Sequence, residues 1–110
     1  MDESQKRILN VLCKRASEGL PSGSRVTLYG SRARGDARED SDWDIHVIVP
    51  GPEKLPLHIV SYYASIFEEV GLEYDETINA RVYSPSGWAK RSFLPFYKNV
   101  MADGIVLFQN

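Results

Sequence analysis

Two short stretches of this sequence combine residue types that bind phosphate and metal ions. They read Gly30-Ser31-Arg32-Ala33-Arg34-Gly35 and Ser41-Asp42-Trp43-Asp44-Ile45. A glycine at the end of a strand lets the backbone come close to a ligand, and free N–H groups at a helix start attract anions. Gly30 and Ser31 are therefore candidate phosphate contacts, and a serine here can cap a following helix. Arg32 and Arg34 add guanidinium donors that suit phosphate oxygens.

Asp42 and Asp44 supply two carboxylates to the same region. Because they are two apart in a predicted strand, both side chains leave one face, about 6.5–7 Å apart along the backbone. Two carboxylates at a strand end suit Mg²⁺, which takes oxygen ligands and shares phosphate oxygens with a substrate. Two such ions, roughly 3.5–4 Å apart, can hold the attacking and leaving oxygens of a phosphoryl or nucleotidyl transfer. A Gly-Ser turn or a strand-end aspartate is usually structural on its own, but the combination predicts phosphate chemistry.

His46 extends the alternation of Asp42 and Asp44 by one more position on the same face. Because Mg²⁺ prefers oxygen ligands, the sequence favours a buried or half-buried histidine, hydrogen-bonded locally, over a metal ligand. The large aromatic residues are predicted to pack in the core: Trp43, Trp88, Phe93, Phe96 and Tyr97.

Hydrophobic periodicity predicts the order α-β-β-α-β-α with a possible terminal strand, which makes an α/β fold. Glycine and proline mark most of the boundaries between these elements. The predicted elements are a helix ended by Gly19, a strand over 25–29, an exposed loop or short helix over 32–42, a strand over 42–49, a helix over 57–70 closed by Gly71, a strand over 77–83, a break at 84–87, a helical turn over 88–91, a helix from Pro95 to Gly104 and a short edge strand over 105–108.

Length and composition limit the classes of protein that fit. The 110 residues, 43% hydrophobic and 25% charged, predict a single globular domain over residues 1–110. A formal net charge of −2 lacks the basic face that nucleic-acid binding needs. Cys13, the only cysteine, argues against a disulfide-stapled secreted protein. Without a signal peptide or an apolar run of about 20 residues, we expect a cytoplasmic protein with no membrane segment.

The pattern of Gly30-Ser31 followed by Asp42-x-Asp44 resembles the signature of the polymerase-beta-like nucleotidyltransferase superfamily. The longer form, with Arg34-Gly35 and Ser41, looks like its minimal nucleotidyltransferase branch, and the element order agrees over most of the chain. The resemblance implies a small mixed β-sheet flanked by helices. It also implies that the Gly-Ser turn holds the β- and γ-phosphates of ATP and that the aspartates bind Mg²⁺, as a two-ion site once nucleotide is bound. Arg32 or Arg34 would balance charge.

The sequence departs from this family at a third carboxylate, which the resemblance places on the next strand between hydrophobic residues. The matching segment is Ile78-Asn79-Ala80. Asn79 can ligate weakly through its amide oxygen, but it carries no charge and cannot act as the catalytic base. Arg81 shares a strand face with Asn79 and would favour phosphate over a further metal ion. Three nearby acidic residues could replace the missing carboxylate if the chain bends: Glu73, Asp75 and Glu76.

These features predict a Mg²⁺-dependent nucleotidyltransferase that moves AMP from ATP to a hydroxyl acceptor on a partner protein or a small molecule. The resemblance implies that small members pair with a separate helical protein from a neighbouring gene, as acceptor or as toxin of a toxin–antitoxin module. The alternative is a catalytically impaired module that binds nucleotide or a partner, because Asn79 replaces the expected carboxylate. Direct nucleic-acid binding is the least favoured of the three by the charge balance.

Overall fold

The chain folds into five helices and four strands. The structure, a computed structural model, describes residues 1–110. The elements are α1 (Glu3–Gly19), β1 (Arg25–Tyr29), α2 (Ser31–Arg34), β2 (Trp43–Ile48), α3 (Leu57–Tyr74), β3 (Ile78–Tyr83), α4 (Pro85–Ala89), α5 (Pro95–Asp103) and β4 (Ile105–Gln109). None of these helices is both long enough and apolar enough to cross a membrane.

The four strands form one mixed sheet in the order β3-β2-β1-β4, which confirms the predicted fold class. β1 pairs antiparallel with β2 on one side and with β4 on the other, while β2 and β3 run parallel. Helix α3 makes the crossover that a parallel pair requires. Because β2 and β3 point the same way, their N-terminal ends meet at one edge of the sheet, and Asp44 lies directly opposite Asn79.

The two faces of β2 have different surroundings, as the alternation of its side chains predicts. Trp43, Ile45 and Val47 are fully buried in the main core, which α1 and α3 cover. Asp44, His46 and Ile48 lie on the opposite face. That second face is covered at one end by a smaller aromatic cluster: Tyr29, Ile48, Tyr83, Trp88, Phe96, Tyr97 and Val100. The carboxylates therefore emerge on the face that is only partly covered.

Several boundaries follow the predicted signals closely. Helix α1 ends at Gly19 as predicted, and it begins after Asp2, which forms a capping box with Gln5. Strand β1 spans the predicted residues, and α5 begins at Pro95, where the fixed φ of proline suits the first helical turn. Strand β4 is an edge strand, one residue longer than predicted.

Helix α3 runs four residues beyond the predicted end, because Gly71 is a site of close approach and not a stop. A Cβ at Gly71 would lie 2.4 Å from the carbonyl oxygen of Glu76, so the returning chain needs a glycine there. The carbonyl of Gly71 accepts the N–H groups of Asp75 and Glu76. The helix ends instead at Asp75, which takes the left-handed conformation at φ 56° and ψ 47°.

Two predictions for the region after β3 are wrong. Residues 84–87 end strand β3 at Tyr83 as predicted. The helical turn, however, starts at Pro85 and not at Trp88, because the hydroxyl of Ser84 accepts the N–H of Gly87 and Pro85 occupies the first turn. Phe93 is 73% exposed and lies outside the core, since it belongs to the connection before α5 and not to the helix. Trp43 and Trp88 are buried as predicted, at 0% and 4% exposure.

Candidate active site

The turn between β1 and α2 depends on the glycine at its centre. Gly30 has φ +76° and ψ −158°, a conformation that residues with a side chain rarely adopt. A Cβ at this position would lie 2.4 Å from Oδ2 of Asp44. Gly30 is the N-cap of α2 and no side chain caps that helix, so the expected serine cap is wrong: Ser31 is the first helical residue. The turn thus presents bare backbone beside a carboxylate.

Asp42, Asp44 and Asn79 come together at the edge where β2 and β3 begin. The amide nitrogen of Asn79 donates to Oδ2 of Asp42 at 2.9 Å and to Oδ1 of Asp44 at 3.4 Å. Asp42 and Asn79 are exposed, and Asp44 is half-buried. The parallel register that sets Asp44 opposite Asn79 accounts for the contact. The two carboxylates therefore converge on one point, which the amide occupies as a donor.

None of the alternative acidic residues reaches this point. Glu73 pairs with Arg15, and Asp75 ends helix α3. Glu76 accepts a hydrogen bond from Nε1 of Trp43 at 3.3 Å, and Trp43 faces the main core. No group of three or more His, Cys, Asp or Glu side chains is arranged to hold a metal ion. Asn79 is therefore the residue that lies where the third acid was expected.

Arg32 lies away from the convergence point and holds the loop that precedes β2. Its side chain is 4% exposed, and its Nη2 donates to the carbonyls of Glu39 at 3.2 Å and Ser41 at 2.8 Å. Its guanidinium carbon lies 4.5 Å from the ring centroid of Trp43. Its Nε is buried without a hydrogen-bond partner. Because Nη2 binds carbonyls of the loop, Arg32 holds the loop that carries Asp42 and does not contact the space beside the carboxylates.

Arg34 is exposed on the short helix α2 and is engaged by two carboxylates. Its Nε lies 3.2 Å from Oδ2 of Asp36, and its Nη1 lies 3.0 Å from Oδ2 of Asp103. These partners raise the pKa of Arg34, the hydrogen bond to Asp103 most of all. The ion pair to Asp103 ties α2 to α5. Neither Arg32 nor Arg34 therefore contacts Asp42 or Asp44 in this structure.

An open cavity of about 420 Å³ lies next to the carboxylates. It is lined by Tyr29, Asp44, Glu68, Asn79, Ala80, Arg81 and Phe96. The guanidinium carbon of Arg81 lies 5.0 Å from the ring centroid of Phe96, which stands edge-on to Tyr29 at 5.4 Å. Burial raises the pKa of Tyr29 to about 12, and the negative charge of Asp44 adds to the effect. Sequence reasoning missed Tyr29, because its register opposite Asp44 appears only in the sheet.

Comparisons with known proteins agree with this fold. The family model for the nucleotidyltransferase domain matches residues 6–93. This chain belongs to the nucleotidyltransferase family. Over 84 residues it is 33% identical to a protein of Methanocaldococcus jannaschii named "Putative protein adenylyltransferase MJ0604", a match that covers 76% of this chain and 77% of the relative.

Two solved structures share the fold of this nucleotidyltransferase. One is the crystal structure of "a putative nucleotidyltransferase" from Sulfolobus solfataricus, with a TM-score of 0.67, 24% identity and coverage of 98% of this chain and 86% of the other. The second is a crystal structure of a toxin-antitoxin with AMP-PNP, with a TM-score of 0.67, 18% identity and coverage of 93% and 73%. The sheet and its flanking helices are therefore those of the family.

His46 is the most unusual polar residue of this nucleotidyltransferase. It is 1% exposed, as predicted, but the expected local hydrogen bond is absent: neither ring nitrogen has a partner. The ring lies 4.0 Å from that of Trp88 and 5.5 Å from that of Tyr83, measured between centroids. Burial, and then the charge of Arg25, lower the pKa of His46 to about 4. The folded protein therefore keeps this imidazole neutral at physiological pH.

We expect His46 to make the protein less stable in mild acid. Its pKa falls from an ordinary 6.5 to about 4 on folding, so between these values the unfolded chain binds more protons. The free energy of unfolding should therefore drop by roughly 2 kcal/mol between pH 7 and pH 5 on account of this residue. Urea unfolding at the two pH values should show that extra drop in the wild type and not in His46→Phe. His58→Phe is the control, because His58 is exposed; an equal pH dependence in all three proteins would contradict the expectation.

Proposed function

We propose that this nucleotidyltransferase transfers AMP from ATP to a hydroxyl group of a partner protein, with Mg²⁺ as its cofactor. The observation that carries the proposal is the convergence of Asp42 and Asp44 beside the bare turn at Gly30. Anionic oxygens at one point suit a hard cation, and an uncapped turn suits the phosphates that such a cation accompanies.

The donor set fits a single Mg²⁺ well. A single atom, Nδ2 of Asn79, lies within 3.4 Å of oxygens from both Asp42 and Asp44, so both carboxylates face one common point. Binding one Mg²⁺ there would draw them closer, to the distance of about 2.1 Å that this ion requires. The amide of Asn79 can rotate to offer its oxygen in place of its nitrogen. Mg²⁺ is usually held by one or two carboxylates together with substrate phosphates, and it supplies charge that offsets the phosphate oxygens.

The remaining groups have separate roles in the proposed reaction. Backbone N–H groups at Gly30 and Ser31 contact the β- and γ-phosphates. The acceptor oxygen bonds to the α-phosphorus while the bond from that phosphorus to the β-phosphate oxygen breaks, and pyrophosphate leaves. The hydroxyl proton passes to a carboxylate of Asp42 or Asp44 or to water, because an amide such as Asn79 cannot take it up.

A protein acceptor supplied in trans is supported by the relatives. The M. jannaschii relative is named a protein adenylyltransferase, and one structural neighbour is a toxin-antitoxin with AMP-PNP. We propose that the partner here is a helical protein encoded by a neighbouring gene.

The main core and the aromatic cluster are built on the same sheet, which supports one domain over residues 1–110. Cys13 is a free thiol, which suits a cytoplasmic protein.

The test is label transfer from ATP in the presence of Mg²⁺ and the neighbouring gene product. The α-³²P label should appear on the partner protein, whereas γ-³²P should not, because the γ-phosphate leaves with pyrophosphate. A variant carrying both Asp42→Ala and Asp44→Ala should transfer no label. The matched control is Asp40→Ala, an exposed acid of the same loop. Absence of α-label, or equal labelling by the double alanine variant, would refute the proposed function.

A second candidate, a module that binds nucleotide without turning it over, is favoured by Asn79. The same preparation distinguishes it: calorimetry would show ATP binding while long incubation gave no labelled product. In that case Asn79→Asp is the informative variant, because it restores a carboxylate opposite Asp44. Turnover by the wild type would eliminate this alternative.

A further inference from the structure

The convergence point carries one negative charge fewer than the three carboxylates that the resemblance implies. Asp42 and Asp44 are its carboxylates, and no third acid, histidine or cysteine joins them in a metal-binding group. Asn79 adds an uncharged amide. Glu68 lines the same cavity as Asp44 and Asn79 but forms no metal-binding group with them, and its charge is common to this site and to one with a third carboxylate. With a nucleoside triphosphate bound, the negative charge available to attract cations is therefore smaller by one than with three carboxylates.

Arg81 adds a positive charge on the same face, two residues beyond Asn79 on β3. It lines the 420 Å³ cavity together with Asp44 and Asn79. No carboxylate lies within 4.0 Å of its guanidinium, although most other arginines near the site are paired. The ring of Phe96, 5.0 Å away, supports the guanidinium from one side. Arg81 is thus a free cation that faces the space beside the carboxylates.

Asn79 in place of a carboxylate and the presence of Arg81 together make the charge of the site more positive by two. That difference equals the charge of one divalent ion. Replacing a carboxylate by the amide of Asn79 removes one negative charge, and Arg81 adds one positive charge. Three carboxylates, a triphosphate and two divalent ions carry the same total as two carboxylates, one arginine, a triphosphate and one divalent ion. A second ion would therefore meet a site with two fewer net negative charges, close to a guanidinium that no carboxylate pairs with, and its binding would be disfavoured.

We propose that this site binds a nucleoside triphosphate with one divalent cation, which Asp42 and Asp44 hold. This inference rests on the proposed function. Arg81 supplies the remaining positive charge to the phosphates. A guanidinium is suited to this because it presents several donors in one plane and stays charged at every physiological pH. Arg81 is then a binding residue for the triphosphate, while the expected two-ion arrangement gives way to one ion.

Counting bound Mn²⁺ tests this number directly. Mn²⁺ replaces Mg²⁺ as a paramagnetic probe, and α,β-methylene-ATP replaces ATP, so that no transfer occurs. Electron paramagnetic resonance of free Mn²⁺ should give one bound ion per protein–nucleotide complex. A variant carrying both Asn79→Asp and Arg81→Ala should bind two, because it recovers a third carboxylate and loses the competing cation.

Nucleotide affinity provides a second and independent readout. Arg81→Ala should weaken binding of α,β-methylene-ATP by roughly 10- to 100-fold, the range for loss of a charged hydrogen bond. Arg81→Lys should recover only part of the affinity, since it keeps the charge but loses the planar donors and the contact with Phe96. Arg7→Ala should have no effect, because Arg7 is exposed on α1. Circular dichroism checks that each variant is folded.

Different results overturn different statements. Two Mn²⁺ ions per wild-type complex, or unchanged affinity in Arg81→Ala, would overturn the one-ion site while leaving AMP transfer intact. Failure of the wild type to bind α,β-methylene-ATP with Mn²⁺ would overturn this proposal and the proposed function together. One ion, weakened binding in Arg81→Ala and a second ion in the double variant would establish the one-ion site.

Discussion

Asp44→Asn is expected to lower AMP transfer by at least about a thousandfold. The variant keeps the shape of the side chain against Gly30 but removes one of the two charges that hold the divalent cation. Such an ion contributes several kcal/mol of charge stabilisation, and each 1.36 kcal/mol is about tenfold in rate. Rates of α-³²P transfer under single-turnover conditions measure the loss. Asp40→Asn, in the exposed part of the same loop, should react like the wild type.

The same variant has a readout that does not depend on turnover. Burial and then the charge of Asp44 raise the pKa of Tyr29 to about 12. Removing that charge should therefore lower the pKa of Tyr29, which an NMR titration of the tyrosine ring can follow. An active Asp44→Asn protein with a lowered pKa for Tyr29 would mean that the carboxylate is present but not needed for transfer.

Gly30→Ala is expected to reduce AMP transfer by about a hundredfold. The new Cβ would lie 2.4 Å from Oδ2 of Asp44, so the carboxylate must move. A displacement of about 1 Å at a reacting centre is enough for a loss of that size. The substitution should also cost roughly 1–3 kcal/mol of folding stability, because φ is +76° at this residue. Transfer assays and urea unfolding measure the two effects separately.

Gly35→Ala separates backbone strain from displacement of Asp44. Gly35 has φ +87°, but a Cβ there would meet no atom within 4 Å. Its loss of stability should be similar, at about 1–2 kcal/mol, with transfer close to the wild-type rate. Equal loss of activity in the two variants would show that transfer depends on the conformation of the turn and not on the contact between Gly30 and Asp44.

Much of the site was predictable because local rules govern it. Alternation along β2 predicted that Asp42 and Asp44 share a face, and the strand position predicted that Asn79 lies near them. The structure places all three together. The glycine at position 30 was predicted as a point of close approach. The structure identifies its neighbour as Asp44, which only the β1–β2 register could reveal.

The errors arise where a residue type has more than one use and tertiary contacts decide between them. An arginine beside a Gly-Ser turn suggests a phosphate contact, yet Arg32 is buried against Trp43 and binds loop carbonyls. A glycine after a helical run suggests an end, yet Gly71 lies inside α3 because the chain returns against it. A buried histidine suggests a hydrogen bond, yet His46 is enclosed by aromatic rings. No local pattern distinguishes these cases.

The position of Asn79 opposite Asp44 in the pairing of β2 and β3 also has an evolutionary consequence. Asparagine and aspartate have the same shape, and their codons differ by a single base. Because backbone pairing sets this residue opposite Asp44, such a mutation would leave the strand and its register in place. The number of charges at the site is therefore a trait that drift or selection can reverse in one step, without rebuilding the fold that presents it.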